Sequence, residues 1–294
     1  MKPLLRLLPV LALLSSPLLV AQEAETAPSG PLPESDLPAW AETFDEAVER
    51  ARAMQGGRIL VELRDARCPE CERMEKLLYP SASFVAFTKD KVPVSVLRGT
   101  HDGDKLAERF RIRQVPAWLV VTPDLLLSGK QEGESNQSTW IERFVASERG
   151  WEEFLRKLEA EKVSPRDPAA ALAVAEDAYR RFGDAMAEER FRRVADDRKA
   201  PAEMREKASS YLATIALEAR RLDEAEKILK RLAATSKDPA LREKAELRLA
   251  DVEVGRDERK KAADRLKAFL AKYPESPLRP QAEALLQALG ASNP

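Results

Sequence analysis

Apolar and polar positions change their period part-way along the chain, and the change divides it into two kinds of structure. Residues 43–54 (TFDEAVERARAM) place Phe44, Ala47, Val48 and Ala51 on one face of a helix, which Gly56-Gly57 ends. Ile59-Leu60-Val61 then begins a buried strand. Cys68-Pro69-Glu70-Cys71 follows and opens a helix that carries Met74, Leu77 and Leu78 inward. The pattern predicts a second strand over 92–97, a short helix over 104–110 (DKLAERF) and a third strand over 117–121 (AWLVV), directly after Pro116. Pro123-Asp124 is a turn, and 125–127 is a candidate fourth strand. Helical periodicity resumes near Thr139 and runs, with a break at Gly150, to about Lys162. Strands alternating with helices predict an α/β layer domain over 39–162.

Beyond Pro165 no strand signal remains, and Ala, Leu, Glu, Arg and Lys dominate. Residues 212–232 (LATIALEARRLDEAEKILKRL) lie on 249–269 (LADVEVGRDERKKAADRLKAF) at an offset of 37 residues. Leu212 matches Leu249, Ala213 Ala250, Ile215 Val252, Leu217 Val254, Ala225 Ala262, Leu229 Leu266 and Leu232 Phe269. A weaker third copy surrounds Ala175, Ala187, Phe191 and Val194. Paired helices of this kind cannot bury their faces alone and must stack, so 163–294 is expected to be an all-α helical-repeat domain. The charge run at 256–267 is expected to be a solvated helix face.

The N-terminus follows another logic. Lys2 and Arg6 precede an apolar run over 7–14, Ser15-Ser16-Pro17 breaks it, and Leu19-Val20-Ala21 offers a cleavage point before Gln22. Residues 1–21 are therefore expected to be a signal peptide, with no stable membrane span after cleavage. Residues 22–38, rich in Pro, Glu and Ser, are expected to be a flexible linker. Export to a bacterial periplasm or beyond would place the cysteines where they can be oxidised. In 294 residues, 49 basic side chains face 50 acidic ones, for a net charge of -1, which argues against a nucleic-acid partner. Two cysteines and one histidine cannot complete a four-ligand zinc site within the chain, and no metal or cofactor is expected. The histidine, His101, is expected to be a solvated turn residue in the polar loop 99–103.

Two cysteines separated by two residues at a helix start can bring their sulfurs into bonding distance. The first sulfur sits at the helix N-terminus, where unpaired N–H groups favour the thiolate, which is the nucleophile. Cys68 is thus the candidate attacking thiolate, and Cys71, one turn inside, would resolve the mixed disulfide. Arg67 and Arg64 would lower the Cys68 pKa, while Glu70 and Glu62 would raise it. A structural disulfide, half of a zinc site shared between two chains, and a vestige in a binding domain are the competing readings of the pair. Glu62 reads equally as a partly solvated acid at a strand end or as a proton relay. Trp118, Trp140 and Trp151 are expected in the core or at a domain interface.

The stretch from Ile59 to Cys71 resembles the strand and active-site turn of thioredoxin-like proteins, and Val115-Pro116 resembles their cis-proline signature. The resemblance covers about 40–162. It implies a thioredoxin-like α/β fold, thiol–disulfide exchange on protein substrates, and catalytic roles for Cys68, Cys71, Pro116 and Glu62. Val115 would then pair through its backbone with an extended substrate, and Arg67 and Glu70 would contact it. The sequence departs from typical thioredoxins at three places. Arg67 stands where they carry Trp, Pro69-Glu70 replaces Gly-Pro, and Glu62 stands for their buried Asp. The region after 165, including 269–286 (FLAKYPESPLRPQAEALL), is similar to tetratricopeptide repeats, which implies docking of a protein partner. The alternative is a non-catalytic adaptor in which both domains only bind.

Overall fold

The computed structural model describes residues 37–291. The expected signal peptide and most of the expected linker lie outside these residues. The first part is built from helix α1 (Phe44–Ala53), strand β1 (Arg58–Arg64), α2 (Pro69–Leu78), α3 (Ala82–Thr88), β2 (Lys91–Leu97), α4 (His101–Arg109), β3 (Ala117–Val121), β4 (Leu127–Glu132) and α5 (Gln137–Val163). The sheet has the order β2-β1-β3-β4. β1 runs parallel to β2 and antiparallel to β3, and β4 is antiparallel to β3.

β1 is buried along six of its seven residues, so alternate side chains enter two different cores. Ile59, Val61 and Leu63 meet Val92, Val94 and Val96 of β2, Ala47 and Ala51 of α1, and Leu106 of α4. Leu60, on the opposite face, meets Met74 and Leu78 of α2, Phe84 of α3, and Trp118, Trp140 and Phe144. At the start of β1 the buried cations Arg58 and Lys91 are neutralised by Asp90 and by Glu148 of α5.

Several local expectations are corrected. Helix α3 was not anticipated, although Ser81 caps it through Phe84 N–H and it buries Phe84, Val85 and Thr88. β4 begins at Leu127 rather than Leu125, because Leu125 has a positive φ of 61° in a tight turn closed by Thr122. His101 is the exposed first residue of α4, not a loop residue, since the Thr100 side chain caps the helix through Gly103 N–H. Leu77 points outward and is 42% exposed. Helix α5 passes through Gly150 without a break.

The continuity of α5 has a packing cause. Its first half gives Trp140 and Phe144 to the sheet core, and its second half gives Trp151 and Phe154 to the helical core with Ala171, Ala175 and Phe191. Beyond it lie α6 (Pro168–Arg180), α7 (Asp184–Asp196), α8 (Ala202–Glu218), α9 (Leu222–Thr235), α10 (Pro239–Gly255), α11 (Arg259–Lys272) and α12 (Arg279–Ala291). The α8/α9 and α10/α11 bounds differ by 37 residues throughout, and their connecting turns share a positive φ at Arg220 and Asp257. Phe182 takes the same conformation between α6 and α7. The sequence-matched residues are buried, except that Leu217 is half-buried and Val254 lies at the surface.

Because Trp151 and Phe154 complete the helical core, a cut between 162 and 163 strips it of two large side chains. Truncating such a side chain costs roughly 3–5 kcal/mol. A fragment of residues 148–294 is therefore expected to unfold in urea at a clearly higher midpoint than one of residues 163–294. Equal midpoints would show that α5 contributes nothing to the helical core.

Candidate active site

β1 ends at Arg64, and the exposed residues Asp65, Ala66 and Arg67 carry the chain to Cys68. Cys68 is the N-cap of α2, with extended backbone and its Sγ accepting the Cys71 N–H at 3.1 Å. Pro69 fits the first turn because no N–H is needed there. Cys71, one turn in, is joined to Cys68 in a disulfide with Cα atoms 5.2 Å apart. Cys68 keeps slight exposure and Cys71 none, so Cys68 is the cysteine nearer the surface. A thiolate there would keep the N–H donor and the positive end of the helix.

The charges expected around Cys68 are mostly committed elsewhere. Arg64 is ion-paired with Glu75 of α2. Glu70 is paired with Arg73, which also holds Glu134. Arg67 is exposed and has no ion-pair partner among the described residues, which leaves it the uncompensated cation beside Cys68.

Pro116 reaches the site through sheet register. Ala117 pairs with Leu63, so Pro116 lies level with Arg64, at the end of β1 from which the Cys68 loop departs. The Val115–Pro116 peptide is cis. The Val115 N–H and C=O have no backbone partner among the described residues. Two residues that sequence reasoning missed hold this segment. Glu132, at the end of β4, accepts from the N–H groups of Arg113 at 2.7 Å and Gln114 at 3.4 Å. Partial burial raises its pKa, but Lys130 and the two N–H donors outweigh this and leave it below the ordinary value. Gly133 N–H donates to Pro116 O at 2.8 Å. Gly133 has φ 79°, and a Cβ there would lie 2.6 Å from the Gln114 side-chain nitrogen. A glycine ending a strand was the available signal; its target was not visible.

Glu62 is fully buried, which excludes the reading of a partly solvated acid. It pairs across the sheet with Ser95 on β2 and Trp118 on β3, and Trp118 with Gln131 on β4. It shares the Leu60 face, onto which α2 lays its buried stripe of Cys71, Met74 and Leu78. Its Oε2 accepts from the Tyr79 hydroxyl at 2.7 Å and the Ser95 hydroxyl at 2.8 Å. Its buried Oε1 has no hydrogen-bond partner among the described residues. Burial pushes the carboxyl above its ordinary 4.5, outweighing the two hydroxyls. Neighbouring Glu75 adds to the rise and Arg64 opposes it. Tyr79 is pushed far upward, first by burial and then by Glu62, so its hydroxyl stays a donor. Tyr79 and Ser95 were also missed, because no local pattern places them beside residue 62.

Residues 39–123 match the family model for thioredoxin-like domains. No curated protein matches the chain. Among solved structures it is similar to a thioredoxin from Thermus thermophilus, at 21% identity over 37% of this chain and 85% of that one, with a TM-score of 0.33. It is also similar to a DsbH oxidoreductase, at 13% identity over 38% of this chain and 84% of that one, with a TM-score of 0.30. The fold is thus a thioredoxin-like α/β domain followed by a helical region. The domain carries a disulfide at CxxC spacing.

Two outcomes follow from the local geometry. Gly133→Ala forces a positive φ on alanine beside Gln114 and is expected to cost about 1–3 kcal/mol in denaturant unfolding. Glu62, with its folded pKa above 4.5, holds a proton in the native state that the unfolded chain has already lost. Its contribution is full below pH 4.5 and is lost as pH rises through the folded value. The stability of Glu62→Gln relative to wild type is therefore expected to increase with pH across that interval. A difference that is flat with pH in urea titrations would contradict the raised pKa.

Proposed function

We propose that the chain is a thiol–disulfide oxidoreductase acting on protein substrates through Cys68 and Cys71. The observation that carries this reading is the Cys68–Cys71 disulfide at the N-cap of α2, with the less buried cysteine first. In the reducing direction the Cys68 thiolate attacks a substrate disulfide. A Cys68–substrate disulfide forms, and the first substrate sulfur leaves as a thiolate that takes a proton from solvent. Glu62 takes the proton from the Cys71 thiol, and the Cys71 thiolate attacks Cys68 Sγ. That step regenerates the Cys68–Cys71 disulfide and releases the second substrate thiolate. An external dithiol restores the reduced pair. The oxidising direction is the same sequence reversed.

The unpaired backbone of Val115 supports a role in holding an extended substrate beside the sulfurs, with Pro116 fixing the approach and Arg67 and Glu70 at the rim. The helix pairs after α5 resemble tetratricopeptide repeats and would dock a protein partner. The N-terminal pattern supports export to a periplasm or beyond. Among the described residues no helix is long and apolar enough to cross a membrane.

Cys68→Ser is expected to abolish the protein's acceleration of protein-disulfide reduction by dithiothreitol. Cys71→Ser is expected to accumulate Cys68–substrate mixed disulfides, seen as a mass increment removable by reductant. In the reduced wild type, Cys68 is expected to alkylate faster than Cys71. Equal, slow labelling with no turnover would overturn the catalytic reading in favour of an adaptor.

A further inference from the structure

Glu62 is the one acidic side chain in β1, and its two oxygens stand in different surroundings. Oε2 receives two hydroxyl donors from different elements, Tyr79 at the C-cap of α2 and Ser95 on β2. An sp² oxygen has two lone pairs, so Oε2 is filled as an acceptor. Neither donor is free to wander. The Tyr79 ring is held between Trp40 at 4.7 Å, Phe84 at 5.4 Å and Trp118 at 6.1 Å between ring centroids. Ser95 is fixed by its register with Glu62, and it lies exposed on the edge strand of the sheet. The charged groups that face Glu62 are Glu75 from α2 and Arg64 from β1, which are paired with each other. β2 and β3 bring the uncharged Ser95 and Trp118, and α3 and α5 bring the rings of Phe84 and Trp140 to the same layer.

We propose that Tyr79 and Ser95 are positioning residues that clamp Glu62 Oε2, so that the exchangeable proton resides on Oε1. The use of that proton rests on the oxidoreductase reading above; the clamp itself does not. A buried carboxyl that must give up and regain a proton needs one oxygen free to carry it. The two hydroxyls supply this by occupying the other oxygen.

The test uses the full chain with carbon-13-labelled glutamate, and Glu62→Gln identifies the Glu62 carboxyl resonance. Removing a donor to the ionised form raises the titration midpoint. Tyr79→Phe and Ser95→Ala are each expected to move it upward by roughly one pH unit, about tenfold in proton affinity. Ser95→Thr, which keeps the hydroxyl, is expected to restore the wild-type midpoint. The same displacement is expected in the pH profile of dithiothreitol-driven disulfide reduction. Midpoints that stay at the wild-type value in both variants would overturn the clamp. Should Tyr79→Phe fail to fold, Ser95→Ala at the exposed sheet edge decides the matter alone. Shifted midpoints with a pH profile unmoved in every variant, Glu62→Gln included, would uphold the clamp and remove Glu62 from the reaction.

Discussion

Everything near the disulfide depends on β1 being buried on both faces. It lies between β2 and β3, with α1 and α4 over one side and α2, α3 and α5 over the other. A strand in that position has no solvent face, so its polar residues must find partners inside the protein. Arg58 finds Asp90 and Glu148. Arg64 finds Glu75 on the helix that carries the cysteines. Glu62 finds two hydroxyls and no cation in direct contact, which is why burial dominates its acidity. The same strand then releases the chain into the Cys68 turn and sets the level of Pro116 through its pairing with β3.

The helical region is tied to this site by more than chain connection. α5 is shared between the two cores, and Arg181, after α6, fastens them together. It donates to Leu127 O at 3.0 Å and Gly150 O at 2.7 Å, and stacks over Trp151 and Phe154. The segment leading to Val115–Pro116 is held as well. Arg109 donates to Phe182 O, the Phe110 ring meets Phe182 edge-on, and Arg111 pairs with Glu218 of α8. The helices therefore brace the segment that leads to the cis proline.

The sequence by itself determined the features that are local. Alternation and apolar runs marked β1, β2 and β3 because strand burial leaves a period of two or an unbroken apolar run. The order of strand, CxxC and helix placed both sulfurs at a helix start, since three residues of spacing span one turn. Paired helices at a 37-residue offset were legible because stacked units reuse the same small and large positions. Tertiary structure alone decided what depends on neighbours distant in sequence. α5 ignores Gly150 because two separate cores hold it on either side. Glu62 is buried because β2 and β3 flank it and α2 covers it, and Tyr79 and Ser95, 17 and 33 residues away, reach its carboxyl only through that packing. Glu132 and Gly133 hold the Pro116 segment for the same reason. Chain spacing fixes which residues can share a turn or a strand face, but register and layer packing fix which side chains from separate elements share a hydrogen bond.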